Sequence, residues 1–215
     1  MLKKSVMLAL IGLLMGTTAL RAQDRAAICD AVGIAEVGNW SAYEFTDPAS
    51  GTDGTLRFAV VNRDGSDFWY EMQASTDEGD IIIQMLVPAF PFTPDQVTEV
   101  IFKAPGQPAM RLPSEMLSMM QQQMANNPMF DFAENCAAAE DLGRETVEVP
   151  AGTFETFHIM NPGDQGEVWI SLDVPFGMIK GEGEGTIVLM EYGSDAVSAI
   201  TEEPQSMPGM GGMNR

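Results

Sequence analysis

The chain has 215 residues and a formal net charge of −20, with 31 Asp and Glu against 11 Lys and Arg. Its negative field repels nucleic-acid phosphates and anionic lipid headgroups, so neither is expected as a partner. The length suits one domain with its own hydrophobic core, and we expect that domain to be a monomer.

The N-terminus has the pattern of a secretory signal peptide. Lys3 and Lys4 precede an apolar run from residue 5 to residue 20, and the small residue Ala22 follows it. This run of about 16 residues is shorter than the roughly 20 that a membrane-spanning helix needs. We therefore predict a signal peptide over residues 1–22 and a periplasmic or secreted product without a transmembrane segment. An uncleaved membrane anchor is the alternative.

Two cysteines remain after residue 22, Cys29 and Cys136. In an oxidising compartment such a pair most often forms one disulfide. Closing a loop this long stabilises a fold by about 4–5 kcal/mol in the chain-entropy model. Two free thiols or intermolecular pairing are the alternatives. Lipidation of Cys29 is not expected, because the bulky Ile28 precedes it and the apolar run ends well before it.

From Asn39 onward, apolar and polar residues alternate with a period of two, which indicates β-strands. Turns rich in Asp, Asn and Gly separate the strands, as at 62–65 and 76–80. The predicted strands are Trp40–Thr46, Leu56–Val61, Phe68–Gln73, Ile81–Val87, Val97–Lys103, Ala109–Leu112, Glu145–Val149, Phe154–Met160, Gly166–Asp173, Phe176–Gly181 and Thr186–Tyr192.

One amphipathic helix interrupts the strands. Pro113 and Ser114 give a helix start, and residues 115–126 follow without a helix-breaking residue. Apolar residues occupy one side of this segment and glutamines much of the other. A second, shorter helix that holds Cys136 is predicted within residues 131–141.

These elements predict a mainly β (α+β) fold with a single domain over residues 23–193. Consecutive strands joined by short turns form an antiparallel meander, and one sheet of about 9–11 strands curls strongly. We expect a half-barrel with the amphipathic helix on its concave face. Residues 194–215, which end in a Gly- and Met-rich stretch, are predicted to be a disordered acidic tail.

The sequence shows no catalytic constellation, and we predict a protein that is not an enzyme and has no cofactor. The single histidine, His158, lies in a predicted strand, where a structural role is expected, and no nucleophile-elbow motif occurs. An acid–base pair among the many carboxylates is left open by the sequence. One histidine and a cysteine pair do not make a zinc site, and residues 181–185 lack the ligand spacing of a calcium loop.

Methionine is unusually frequent, with 17 residues in the chain. A flexible thioether side chain suits a packed core, an adaptable wall for an apolar ligand, or metal binding. Four methionines follow one side of the predicted helix: Met116, Met119, Met120 and Met124. Three more recur at every third position of the tail: Met207, Met210 and Met213. Soft sulfur ligands on a tail favour Cu(I), which gives an alternative function.

Two segments of the C-terminal half resemble a known group of exported proteins. Residues 149–157 read VPAGTFETF, and residues 168–177 read VWISLDVPFG. They are similar to the V-x-V-P-A-G-T-F and W-x-S…V-P-x-G segments of exported proteins whose folds are similar to the outer-membrane lipoprotein carrier and receptor (LolA/LolB-like) group. The resemblance covers residues 145–192. It implies a half-barrel whose concave apolar side, covered by helices, shelters acyl chains.

The leading hypothesis is therefore a periplasmic, non-enzymatic binding protein for a hydrophobic ligand such as a lipid or a lipoprotein acyl chain. The alternatives are an exported Cu(I)-binding protein and an envelope protein without a ligand that engages a partner. The residues predicted to line the site are Met116, Leu117, Met120 and Met124 on the helix, with Phe68, Tyr70 and Met72 on the sheet. A register error of one residue would exchange the sheet residues for Trp69 and Glu71.

Overall fold

The computed structural model describes residues 28–29, 32, 36–49, 51–125, 132–163 and 166–207. The predicted signal peptide, residues 1–22, lies outside these ranges, as do Met210 and Met213 of the predicted copper-binding tail. Within them the chain forms twelve strands, two α-helices and a 3-10 helix. The strands are β1 (Trp40–Asp47), β2 (Thr52–Asp64), β3 (Asp67–Thr76), β4 (Gly79–Val87), β5 (Glu99–Lys103), β6 (Met110–Arg111), β7 (Glu140–Val149), β8 (Gly152–Met160), β9 (Glu167–Ile170), β10 (Met178–Glu182), β11 (Thr186–Gly193) and β12 (Gln205–Ser206). The helices are α1 (Ser114–Met124), α2 (Phe132–Ala138) and the 3-10 helix Pro94–Gln96.

The twelve strands form one open, curved sheet. Their order across the sheet is β12-β6-β5-β4-β3-β2-β1-β11-β10-β9-β8-β7. Neighbouring strands pair antiparallel except β12 and β6, which run parallel. The prediction of a mainly β fold with a curved antiparallel sheet is confirmed. The sheet has twelve strands instead of about 9–11, because β12 lies in the segment assigned to the tail.

Alternation along the strands gives the sheet an inner and an outer side. On the inner side, Tyr70 lies opposite Val60 of one neighbouring strand and Met85 of the other, and all three are buried in one apolar cluster. Ile82 and Ile101, which point the other way, belong to a separate cluster on the outer side. The period-two pattern of the sequence thus separates two apolar layers, one on each side of the sheet.

Helix α1 packs against the inner side near β4 and β5. Leu117, Met120 and Met124 join the inner apolar cluster, and Met124 is buried. The side-chain amide of Gln121 donates a hydrogen bond to the carbonyl oxygen of Val97 at 2.9 Å. The helix thus uses its apolar stripe for packing on the sheet, as an amphipathic helix does.

Residues 194–207, the described part of the predicted tail, form a strap across the outer side of the sheet. Ala199 and Ile200 pack into the outer apolar cluster. The Lys103 ammonium donates a hydrogen bond to Glu202 and lowers the pKa of that carboxyl group. The hydropathy pattern missed the strap because few of its side chains are apolar and hydrogen bonds hold the rest. The packed chain therefore extends to residue 207, beyond the predicted domain boundary at 193.

A buried carboxylate fastens the strap to the sheet. Glu71 of β3 is fully buried on the outer side. Its oxygens accept hydrogen bonds from the Ser198 hydroxyl at 3.1 Å and from the backbone N–H of Ala199 at 3.1 Å. The Gln84 amide donates to it at 2.8 Å, and the Arg57 guanidinium lies 3.6 Å away. These donors replace the water that Glu71 loses on burial, which is the condition under which a buried charge is tolerated.

Candidate ligand-binding cavity

The inner side of the sheet borders a cavity of about 410 Å³. Eight adjacent strands, from β4 across the sheet to β8, contribute side chains to its wall, and residues 90–92, α2, Asn161 and Phe176 add the rest. Among the described residues of the wall, the polar exceptions are Tyr43, Tyr70, Asn135 and Asn161. A volume of this size with a mainly apolar wall and a few polar groups is typical of a site for a small hydrophobic ligand.

Five aromatic rings form one side of the cavity, with Tyr70 at their centre. The Tyr70 ring centroid lies 5.4 Å from Phe90, 5.6 Å from Phe92 and 5.7 Å from Phe176. Phe58 stacks on the same ring at 6.1 Å. Stacked and edge-to-face contacts at these distances are favourable, and aromatic side chains have few rotatable bonds. This part of the wall is therefore a rigid apolar surface.

A backbone corner between β9 and β10 brings Phe176 to the cavity. Phe176 has a φ of 62°, in the left-handed region that non-glycine residues seldom adopt. Gly177 follows with a φ of 73°, and its N–H donates to the carbonyl oxygen of Val174 at 3.2 Å. A Cβ atom at Gly177 would lie 2.9 Å from a methyl group of Val32. The VPFG segment of the sequence therefore encodes a tight corner that positions one aromatic side chain of the wall.

The predicted disulfide is confirmed and forms part of the same wall. Cys29 and Cys136 are joined, with 5.9 Å between their Cα atoms, and Cys136 of α2 lines the cavity. Ile28, next to Cys29, packs against Ile159 and Ile170, which line the cavity as well. The disulfide thus links α2 to the N-terminal segment, whose Ile28 packs against these wall residues.

The two tyrosines of the wall keep their hydroxyl groups uncharged. Burial raises the pKa of Tyr43 and of Tyr70 well above the ordinary phenol value, so both remain protonated at physiological pH. The Tyr43 hydroxyl donates a hydrogen bond to the carbonyl oxygen of Met178 at 3.1 Å. The Tyr70 hydroxyl makes no hydrogen bond to any residue that the structure describes. Tyr70 is therefore a neutral donor without a protein acceptor among these residues.

Six of the seven residues predicted to line the site fall into two groups. Tyr70 and Met72 are in the cavity wall. Four others belong to the apolar cluster beside it: Phe68, Leu117, Met120 and Met124. Met116 is half-buried and lies outside both sets, and Met119, on the same predicted stripe, is 52% exposed. The structure thus brings two of the seven residues to the cavity and four to the packing layer that adjoins it.

Sequence reasoning missed Tyr43 and Phe58 in the strands, and it missed three further aromatic residues of the wall, Phe90, Phe92 and Phe176. All three lie in loops between strands, where the period-two pattern gives no information on side-chain direction. One signal was available in the sequence. Each of them is next to a proline, Pro91 or Pro175, and proline restricts the backbone of such loops. Aromatic residues in proline-fixed loops at the ends of strands are therefore candidates for a cavity wall.

His158 and the cavity residue Ile159 lie on opposite sides of β8, and the contacts of His158 are structural. Its ring stacks on Trp169 with 4.3 Å between centroids, and Nε2 lies 2.6 Å from a carboxylate oxygen of Glu167.

In the part of the chain that the structure describes, no three His, Cys, Asp or Glu side chains are grouped so that they could hold a metal ion. None of the helices described there is both long and apolar enough to cross a bilayer.

No protein-family model matches the chain, and no curated protein matches its sequence. Among solved structures, it is similar to MucB in complex with MucA(peri), with a TM-score of 0.47 and 10% identity over 85% of this chain and 59% of the MucB chain. For MucB alone the TM-score is 0.46 at 11% identity, over 86% of this chain and 61% of the other. A predicted lipoprotein from Parabacteroides distasonis gives a TM-score of 0.36 at 14% identity, over 75% and 98%. The chain therefore covers less than two thirds of the MucB chains, and similarities this low carry no argument about function.

Proposed function

We propose that this protein is a non-enzymatic periplasmic binding protein whose cavity holds a hydrophobic ligand, such as a lipid or a lipoprotein acyl chain. The observation that carries the proposal is the cavity of about 410 Å³ with its mainly apolar wall. Hydrocarbon that enters such a space loses contact with water, which contributes about 25 cal/mol for each Å² buried. The signal peptide proposed for residues 1–22 and the disulfide both fit an exported, oxidised location.

Methionines of the sheet support an adaptable binding surface. Met72, Met85 and Met178 lie in the cavity wall, on three different strands. Their unbranched thioether side chains change rotamer readily and fit irregular apolar shapes. The aromatic side of the wall is therefore rigid, and the side that carries the methionines can adapt its shape to a ligand. A flexible acyl chain suits such a surface.

We assign a supporting role to helix α1. Leu117, Met120 and Met124 belong to the cluster that also contains the wall residues Tyr70 and Met85. The helix therefore packs beside the wall. In this proposal, the ligand contacts the strands and the loops that carry Phe90, Phe92 and Phe176. In this proposal the methionines of the helix act through packing.

Titration with an uncharged apolar dye, N-phenyl-1-naphthylamine, tests the proposal. Met72→Trp adds bulk to the cavity wall, so we expect dye affinity to fall roughly tenfold or more. Met119→Trp makes the same exchange at a side chain that is 52% exposed on α1, and should bind the dye as the unmodified protein does. Thermal unfolding of both variants checks that they are folded. Absence of dye uptake by the unmodified protein, or equal uptake by Met72→Trp, would refute the proposed site.

A further inference from the structure

Every basic side chain that the structure describes is engaged outside the cavity. Two of the six such residues lie over aromatic rings, Arg63 above Phe68 at 4.3 Å and Arg144 above Phe157 at 4.1 Å. The other four pair with carboxylates: Arg57 with Glu71, Lys103 with Glu202, Arg111 with Glu99 and Lys180 with Glu182. None of the six is in the cavity wall. The described wall therefore offers no positive charge to a ligand.

An anionic headgroup would be unfavourable in this setting for two reasons. A carboxylate that leaves water without a counter-charge carries a desolvation cost that the neutral donors of the described wall offset only in part. The chain as a whole has a net charge of −20, which repels an anion as it approaches. The apolar chain of a fatty acid and that of its uncharged ester would gain the same free energy from burial. The headgroup charge therefore decides between the two.

Tyr70 supplies the polar group that an uncharged ester needs. It lines the cavity, is only 6% exposed, and its hydroxyl makes no hydrogen bond to a described residue. A ligand that brings an acceptor oxygen into the cavity can therefore accept a hydrogen bond from this hydroxyl. The second phenol of the wall, Tyr43, already donates to a backbone carbonyl. Of the two hydroxyl groups, the one of Tyr70 is therefore available to the ligand.

We infer that the cavity selects an uncharged acyl ester over the free fatty-acid anion, with the Tyr70 hydroxyl donating a hydrogen bond to an ester oxygen. This inference rests on the binding function proposed above and adds the charge class of the ligand and the residue that recognises its headgroup. The selectivity comes from the absence of a positive charge in the described wall and from one neutral donor.

Displacement of the same dye by monolaurin and by laurate, below their aggregation concentrations, measures the selectivity. The two compounds share one acyl chain and differ in headgroup charge. We expect monolaurin to bind roughly tenfold more tightly than laurate at low salt. Added salt should raise the affinity of laurate, because it screens the repulsion, and leave that of monolaurin unchanged. Tyr70→Phe should weaken monolaurin about three- to tenfold more than it weakens the dye, because the dye has no oxygen acceptor.

A charge placed on the wall should reverse the preference. Asn161→Lys puts an ammonium group beside the cavity and is expected to raise laurate affinity relative to monolaurin. Asn62→Lys adds the same charge at an exposed position of β2 outside the wall and should keep the original ratio. The ratio measured on the unmodified protein tests the inference by itself if a variant does not fold.

The outcomes separate the two claims. Tighter binding of monolaurin, with the expected salt response, supports the inference. Equal affinity for both compounds, or tighter binding of laurate, overturns the inference and leaves the proposed binding function in place. A protein that takes up neither compound nor the dye overturns the binding function, and the inference fails with it.

Discussion

Replacing both cysteines, Cys29→Ser with Cys136→Ser, is expected to lower the free energy of unfolding by about 4–5 kcal/mol. The two residues are 107 positions apart, so their bond removes much of the conformational freedom of the unfolded chain. The variant should also loosen the cavity wall, because Cys136 is part of it and Ile28 would no longer be held against Ile159. Urea unfolding of the oxidised protein and of the double variant gives the difference.

Reductant provides the matched control for this prediction. The unmodified protein should lose a similar amount of stability when a reductant is added before unfolding. The double variant should show no response to reductant, because it has no disulfide to lose. Equal unfolding midpoints for the oxidised protein and the double variant would contradict the prediction.

Glu71→Ala is expected to lower the free energy of unfolding by about 3 kcal/mol. The change removes the acceptor for the Gln84 amide, the Ser198 hydroxyl and the Ala199 N–H, all of which are at the join between strap and sheet. It also leaves Arg57 without its carboxylate. We therefore expect the strap to detach locally. Hydrogen exchange at Ala199 and Ile200, together with urea unfolding, measures both effects.

Glu44→Ala is the control for this second prediction. Glu44 is an exposed carboxylate in β1 of the same sheet, so its loss changes the net charge equally without breaking the buried network. It should alter stability by less than about 0.5 kcal/mol and leave strap exchange unchanged. If the amides of the strap stay as protected in Glu71→Ala as in the unmodified protein, the fastening role of Glu71 is wrong.

The elements of the fold that local sequence patterns determine could be predicted from the sequence. Alternation of apolar and polar residues marks a strand because side chains alternate across it, and the β2–β3 hairpin follows its Asp-Gly turn at Gly65. The disulfide could be predicted because the chain has two cysteines, so each has one possible partner within the chain. On β3, Tyr70 and Met72 lie in the cavity wall and Glu71 does not, which follows the alternation of side chains along a strand.

The cavity and the strap depend on contacts between distant parts of the chain, which a local pattern does not contain. Phe176 reaches the wall through a left-handed backbone corner, and Phe90 through a loop. The strap is stabilised by hydrogen bonds to Glu71. The residues next to Glu71 in the sequence do not indicate that this carboxylate is buried. Met119 is as apolar as its neighbours in sequence, and only the packing of α1 shows that it faces solvent. Hydropathy indicates that a residue can be buried, and the tertiary contacts decide whether it is.

Native mass spectrometry of the protein, purified from cells that express it, tests the central claim most directly. The binding account predicts a lipid mass that copurifies with the chain, is retained in Met119→Trp and is lost in Met72→Trp. The inference about headgroup charge further predicts that this lipid is uncharged. A bare chain mass, or a chain that takes up added Cu(I) and carries no lipid, would contradict the account.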